Sequence, residues 1–109
     1  MDETRFSHMS QRLLNQLLDQ LEDALGDIAD VDLQQSILTV ELDAGGQYVI
    51  NGHNVAFEMW VSSPVSGAHH FRYDEGQQAW RTDHHEFATL LQQDLQRSTG
   101  RIIALNLQA

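Results

Sequence analysis

The sequence predicts an α+β fold: a two-layer α-β sandwich, with an N-terminal and a C-terminal helix packed on one face of an antiparallel sheet. Apolar residues recur at three- and four-residue intervals near both ends of the chain, and short alternating segments separated by turn signals lie between them. The two helices can both bury their apolar faces only by lying on the same side of the sheet, which leaves its other face in solvent. The 109 residues are expected to form a single domain, residues 1–109.

The first helix is predicted over residues 5–25. Gly26 is expected just beyond its end, where glycine adopts a left-handed backbone at little cost. One wide helical stripe contains the apolar residues Phe6, Met9, Leu13, Leu14, Leu17, Leu18, Leu21 and Leu25.

The middle of the chain is predicted to be an antiparallel meander. Ala44-Gly45-Gly46 is a hairpin signal, and turns are also indicated at residues 63–67 and 74–76. The predicted strands cover residues 31–33, 37–43, 47–51, 57–62, 68–74 and 78–81.

A second helix is predicted over residues 85–98, with Asp83 as its N-terminal cap and Gly100 beyond its end. The tail, residues 101–109, carries the apolar residues Ile102, Ile103, Leu105 and Leu107. We therefore expect it to pack along the helices.

The charge of the chain is strongly negative and unevenly placed. Sixteen acidic side chains face six basic ones, a formal net charge of -10, and residues 19–43 contain eight acids but no Lys or Arg. This charge opposes phosphate backbones and anionic lipid, so neither nucleic acid nor a membrane is an expected partner. Cations and basic protein surfaces are favoured instead. The eight acids are Asp19, Glu22, Asp23, Asp27, Asp30, Asp32, Glu41 and Asp43.

Three of these acids weaken the first helix. Asp19, Glu22 and Asp23 fall opposite the apolar stripe and near the negative end of the helix dipole, where carboxylates are unfavourable. A cation or a basic partner would relieve them. The alternative is a merely solubilising face, as charge runs usually are.

Trp60 is predicted to lie on the exposed face of the sheet. Alternation along residues 57–62 puts Phe57, Met59 and Val61 on one side and Trp60 on the other. An exposed aromatic among polar residues is typical of a protein contact site, because buried aromatic anchors dominate interface energies. The alternative is that the tail or a loop covers it.

Other chemistry is poorly supported. The chain has no cysteine, which excludes disulfides and thiolate sites. Its adjacent histidine pairs, His69-His70 and His84-His85, point to opposite faces if they lie on strands, and no zinc or calcium motif occurs. No nucleophile elbow or phosphate loop is present, so an active site of its own is not expected.

The acidic first helix, Tyr48-Val49-Ile50-Asn51 and the Met-Trp-Val-Ser-Ser-Pro-Val-Ser-Gly segment at residues 59–67 together resemble the frataxin family. The resemblance covers nearly the whole chain. It implies an α-β sandwich that assists iron–sulfur cluster assembly, binds iron weakly at its acidic ridge, and docks on the cysteine desulfurase and scaffold protein.

Carried over by position, the resemblance makes Asp19, Glu22, Asp23, Asp27, Asp30 and Asp32 the iron-binding ridge, with Glu41 and Asp43 as outlying members. Asn51 and Trp60 become the contact surface on the sheet. Glu58 and His70 belong to the same predicted surface. Many family members have Gln at the position of Glu58, and eukaryotic members often have Arg at the position of His70.

Three functional hypotheses follow. The first is an iron-binding accessory protein that donates Fe(II), regulates sulfur transfer, or does both. The second is an interaction module whose acids only complement a basic partner, and the third is a ferroxidase or iron storage protein. We expect a monomer that can oligomerise with iron. The start of the chain lacks signal-peptide features, so a bacterial cytoplasm is expected, with a mature mitochondrial matrix form as the alternative.

Overall fold

The computed structural model describes residues 1–108 and has two helices packed on one face of a six-stranded antiparallel sheet, which confirms the predicted sandwich. The strands lie side by side in chain order, so each pairs with its sequence neighbours and the first and last form the sheet edges. The elements are α1 (Glu3–Leu25), β1 (Ala29–Gln34), β2 (Ile37–Leu42), β3 (Gln47–His53), β4 (Glu58–Ser63), β5 (Gly67–Asp74), β6 (Ala79–Arg81) and α2 (Phe87–Thr99).

Alternation along the strands separates the core from the exposed side of the sheet. In β4, Met59 and Val61 are buried under the helices, whereas Trp60 between them faces away from the helices, as predicted. We call the side of the sheet opposite the helices the outer face. Strand register places on it Asp30, Asp32, Glu41, Val49, Asn51, Glu58, Trp60, His70, Arg72 and Arg81.

Helix α1 begins two residues earlier than predicted because Asp2 caps it. The Asp2 carboxylate accepts the Arg5 backbone N–H at 2.8 Å and satisfies one of the free donors of the first turn. Gly26 does follow the helix, but its φ of -58° is right-handed, so the expected left-handed cap is wrong. A side chain is excluded there for another reason, since a Cβ would lie 2.6 Å from the Glu22 carbonyl oxygen.

The start of α2 also differs from the prediction. The helix begins at Phe87, after Glu86, and Asp83 does not cap it. Thr82 instead accepts the backbone N–H groups of His84 and His85, which closes a separate turn and leaves Asp83 inside that turn.

The bounds of β3 and β4 differ from the prediction in ways that affect the surroundings of Trp60. Phe57 has a positive φ of 55° and belongs to the turn before β4, so its predicted place in the strand is wrong. Its ring still packs on the core, 5.5 Å from that of Phe6. Strand β3 continues to His53, two residues further than predicted, and places His53 directly opposite Glu58.

The C-terminal tail packs along α1, as expected, up to Gln108; Ala109 lies outside the described residues. Gln16 exchanges two hydrogen bonds with the backbone of Gln108, and Gln20 does the same with Asn106. Each glutamine amide thus makes the reciprocal pair that a neighbouring strand would make. Within the described part of the chain, neither helix is long and apolar enough to cross a bilayer.

Candidate functional site

The eight predicted acids are all exposed and extend from the end of α1 around the β1 edge of the sheet. We call this set the acidic rim. Three members lie on the last turns of α1, Asp27 follows that helix, and the others lie on or beside β1 and β2. Its members are Asp19, Glu22, Asp23, Asp27, Asp30, Asp32, Glu41 and Asp43.

The α1 part of the rim carries unrelieved charge. The last turn of α1 has no basic residue, and none of Asp19, Glu22 and Asp23 forms an ion pair within residues 1–108. Their carboxylates face the negative end of the helix dipole, so the electrostatic free energy of the folded chain is higher than it would be with neutral residues.

The β1–β2 part of the rim contains a like-charge pair. Asp30 and Glu41 are directly opposite each other across the two strands and both point to the outer face. Like charges in this arrangement destabilise a sheet. Asp32 lies on the same face, opposite Thr39, so three carboxylates share one corner of the outer face.

Asp27 departs from the predicted uncompensated strip. Arg101, which follows the Gly100 cap of α2, donates to both Asp27 carboxylate oxygens at 2.7 Å and also to the Ala24 carbonyl. Its hydrogen bonds hold the pKa of Asp27 below the usual range. The remaining seven rim acids lack such a partner within residues 1–108.

The rim acids do not converge on one point. Among residues 1–108, no three acidic or histidine side chains form a set that could enclose a metal ion. What the rim offers is an array of hard carboxylate oxygens on an open surface. Such an array attracts hard cations electrostatically and holds them weakly.

The second predicted site is centred on Trp60. Its indole is half-buried on the outer face, stacked between His53 at 4.2 Å and His70 at 4.5 Å between ring centroids, each tilted by 12°. Both ring faces are therefore covered, and the ring edge is what remains for another molecule. Asn51 lies directly across from Trp60 on β3.

Glu58 holds this stack in place. Its carboxylate accepts the Trp60 indole N–H at 3.0 Å and the Arg72 Nε–H at 3.0 Å, and His70 Nδ1 lies 3.8 Å away. The indole hydrogen bond, followed by Arg72, holds the pKa of Glu58 below its ordinary value. The Glu58 side chain is only 15% exposed, so its contribution to this surface is to hold the Trp60 indole in position.

Sequence reasoning missed His53. It is adjacent to Trp60 only because β3 extends past Asn51 and pairs with the start of β4. Its alternation with Val49 and Asn51 was the available signal, since all three share one face of the strand.

A buried carboxylate was also missed. Asp94 on α2 is 3% exposed and accepts the hydroxyls of Ser63, Ser66 and Tyr48. Burial alone would raise the pKa of Asp94, but the three hydroxyl donors outweigh it and hold the pKa below its usual range. Burial and this carboxylate together raise the pKa of Tyr48 to about 12. The signal was an acid on the apolar stripe of α2, between Leu91 and Leu95.

This cluster fixes the turn that follows β4. Ser63 Oγ also accepts the backbone N–H groups of Val65 and Ser66, and Ser66 Oγ lies 2.7 Å from His69 Nε2. The Ser-Ser-Pro-Val-Ser-Gly segment is thus attached to α2 through one carboxylate, which gives that motif a structural role.

The fold and these surfaces define a small acidic α-β sandwich whose bare sheet face carries a tryptophan. The sequence model of the family described as the frataxin-like domain matches residues 1–101. The chain belongs to the frataxin-like family.

Relatives and solved structures agree with this assignment. The iron-sulfur cluster assembly protein CyaY of Thioalkalivibrio sulfidiphilus is 36% identical over 85 residues, covering 76% of this chain and 78% of the relative. Mitochondrial frataxin of Arabidopsis thaliana is 30% identical over 97% of this chain, which spans 60% of that protein.

Among solved structures, a frataxin from Psychromonas ingrahamii superimposes with a TM-score of 0.83 at 22% identity, covering 97% of this chain and 99% of its own, and it supports the fold alone. A trimeric yeast frataxin complexed with ferrous iron gives a TM-score of 0.72 at 27% identity, covering 85% of this chain and 87% of its own.

Proposed function

We propose that this chain is an iron-binding accessory protein of iron–sulfur cluster assembly, acting as an iron donor, as a regulator of the cysteine desulfurase–scaffold complex, or as both. Family membership and relatives that are named iron-sulfur cluster assembly proteins support the assembly role. The yeast frataxin complexed with ferrous iron supports iron as the cargo.

One observation carries the proposal: part of the acidic rim shares the outer face with Trp60. Asp30, Asp32 and Glu41 occupy the β1–β2 end of the face, and Trp60 lies two strands further on, in β4. A partner that covers Trp60 therefore comes close to cations attracted by the rim. Iron binding and docking influence each other through this shared face.

The chemistry of the rim suits Fe(II) as a transient cargo. Carboxylate oxygens are hard ligands, and an open surface array releases its ion more readily than an enclosed site does. In the proposed role, the sulfur chemistry belongs to the desulfurase and scaffold, and this chain supplies charge and contact.

Anaerobic titration with Fe(II) tests the metal part. Asp19→Asn with Asp23→Asn should reduce saturable Fe(II) binding measured by calorimetry, because both carboxylates lie in the unrelieved part of the rim. Asp83→Asn with Glu86→Gln removes the same charge away from the rim and should leave binding unchanged. Absent saturable binding, or binding unaffected by the rim pair, would leave only the interaction module.

Interferometry against a bacterial cysteine desulfurase tests the docking part. Trp60→Ala should weaken binding by at least about tenfold, as expected when an interface anchor is truncated. Val65→Ala, which shortens an exposed apolar residue on the next turn, is the matched control. Equal binding by Trp60→Ala and the parent would remove Trp60 from the contact surface.

We propose a bacterial cytoplasmic protein, with the mitochondrial matrix as the alternative, because relatives of both kinds match. Without iron we expect a monomer, and a yeast relative is trimeric. Sedimentation with and without Fe(II) tests the assembly state.

A further inference from the structure

Two arginines lie opposite each other at the β5–β6 end of the outer face. Arg72 and Arg81 are direct cross-strand partners, so two like charges are held on the same side of the sheet. Such a pair is unfavourable for folding. The arginine pair lies at the opposite end of the face from Asp30 and Glu41, which are also direct cross-strand partners but carry negative charge.

Both guanidinium groups keep free donors. Arg72 is 74% exposed and uses its Nε–H for Glu58, which leaves its two terminal nitrogens free of ion pairs within the described residues. Arg81 forms no ion pair within residues 1–108. A planar guanidinium with free terminal nitrogens fits a carboxylate through two parallel hydrogen bonds.

The arginines line an open groove of about 780 Å³ on this part of the face. Three acids also line it, and two of them are already engaged. Glu58 binds the indole and Arg72, and Asp74 accepts the Gln77 backbone N–H, whereas Asp83 is exposed on the loop after β6. The donors of Arg72 and Arg81 are therefore available to an incoming anionic group.

The outer face therefore carries cross-strand pairs of opposite sign near its two ends, Asp30–Glu41 and Arg72–Arg81. Four strand spacings, about 19 Å at ~4.8 Å each, separate the acidic pair from the arginine pair, and Trp60 lies between them. A partner that complements this face presents basic groups over β1 and β2 and acidic groups over β5 and β6. Because the partner can fit both ends in only one orientation, the charge pattern sets the orientation of docking as well as its strength.

We propose that Arg72 and Arg81 bind carboxylates of an acidic segment on the protein partner, at the end of the outer face away from the acidic rim. This inference rests on the proposed docking function and adds the chemistry of the partner at a position that the rim does not reach. A second copy of this chain is a poorer occupant, since two copies each carrying a net charge of -10 repel.

The covered indole supports a partner rich in acceptors. Because His53 and His70 occupy both faces of Trp60, an incoming arginine or aromatic ring cannot stack on the indole. Ring edges carry partial positive charge and attract oxygen atoms. Ala56 N–H donates to His53 Nδ1, so the neutral imidazole carries its proton on Nε2 as a further donor.

Charge reversal tests this inference. Arg72→Glu with Arg81→Glu should weaken binding to a bacterial cysteine desulfurase–scaffold complex by at least about tenfold at low salt, and the loss should shrink at high salt. Arg12→Glu with Arg97→Glu makes the same charge change on exposed helix positions and should bind within about twofold of the parent. The milder Arg81→Gln, checked by circular dichroism, gives an independent reading should the double variant fold poorly, and it should weaken binding several-fold.

The outcomes separate the two proposals. Normal binding by the arginine variants beside weakened binding by Trp60→Ala would overturn the arginine site and leave the docking function intact. Equal losses in the helix control would reduce the effect to net charge and also overturn it. A parent chain that does not bind the complex would overturn both. A concentration-dependent dimer of the chain alone, abolished by the arginine reversal, would assign the arginines to a second copy instead.

Discussion

At the residue scale, two carboxylates make structural hydrogen bonds, Asp94 in the interior and Glu58 on the outer face, and both contrast with the exposed acids of the rim. Asp94 joins α2 to β3 through the Tyr48 hydroxyl and to the end of β4 and the turn after it through those of Ser63 and Ser66, and Glu58 holds the Trp60 indole. Each has its pKa lowered by hydrogen bonds to its charged form. Their ionised forms therefore stabilise the fold, and acid removes that contribution.

Asp94→Asn tests the first carboxylate. The substitution removes the charge from a buried cluster of three donors and should lower the free energy of unfolding by about 2 kcal/mol at neutral pH. Because the folded pKa is depressed, this contribution is complete above the unfolded value of about 3.9 and is lost as the pH falls through the folded value. Urea denaturation across this range should show the difference from the parent shrinking in acid. Asp83→Asn, at an exposed site, should behave as the parent; a neutral effect of Asp94→Asn would contradict the cluster.

Glu58→Gln tests the second. An amide oxygen can still accept the indole N–H, but Arg72 loses its counter-ion, so we expect a loss of about 0.5–1 kcal/mol at neutral pH. Because the folded pKa of Glu58 is depressed, the loss should begin to fade below the unfolded value of about 4.3 and disappear as the pH falls through the lower folded value. Denaturation of Glu41→Gln, an exposed acid on the same face, provides the control and should show no loss. An equal loss at all pH values would mean that charge is not what matters at this position.

At the element scale, α1 is destabilised at one end and supported along its length. Its acids at the C-terminal end oppose the dipole, while Glu3 in the first turn complements it. The tail adds hydrogen bonds to Gln16 and Gln20 on the exposed flank of the helix.

Neutralising the helical part of the rim should stabilise the protein. Asp19→Asn, Glu22→Gln and Asp23→Asn together should add about 1 kcal/mol, which corresponds to a rise in Tm of about 5 °C for a chain of this size. Glu3→Gln, at the other end of the same helix, should lower Tm slightly. Scanning calorimetry of these two variants measures both signs, and an unchanged or lowered Tm in the triple variant would contradict unrelieved charge at this end.

Removing the glutamine contacts should loosen the tail. Gln16→Ala with Gln20→Ala deletes four hydrogen bonds and should lower the free energy of unfolding by about 2 kcal/mol. The loss is no larger because the freed backbone groups of the tail can hydrogen-bond to water. Amide hydrogen exchange should accelerate at Asn106 and Gln108. Gln93→Ala, exposed on α2, is the matched control. Unchanged protection at both amides would mean that apolar packing alone holds the tail.

At the scale of the whole molecule, the excess of acidic side chains makes the folded chain repel itself electrostatically. With a net charge of -10, the folded chain should gain stability from added salt, and more from divalent cations at equal ionic strength. Thermal melts in NaCl and MgCl₂ measure this. The triple rim variant should respond less than the parent, and equal responses would place the repulsion elsewhere.

Hydropathy periodicity was sufficient to predict the two layers, the order of the strands and the face on which Trp60 lies, because burial selects residues at every second or every third to fourth position. It could not predict contacts between residues far apart in the chain. Arg101 reaches Asp27 across 74 positions. The nearer contact of His53 with Trp60 depends on the turn between β3 and β4, in which Phe57 has a positive φ. The helix caps depend on local backbone angles, which periodicity does not encode, so the cap at Asp83 and the left-handed backbone at Gly26 are wrong although Gly26 does follow the helix.

The exposed edge of the sheet at β1 has one further consequence. Backbone groups along a border strand can pair with a strand from another chain, and natural proteins discourage this by placing charges there. Asp30 and Asp32, one pleat apart on β1, form such a guard. We therefore expect that cation binding which neutralises these carboxylates also weakens the barrier to strand pairing with another chain.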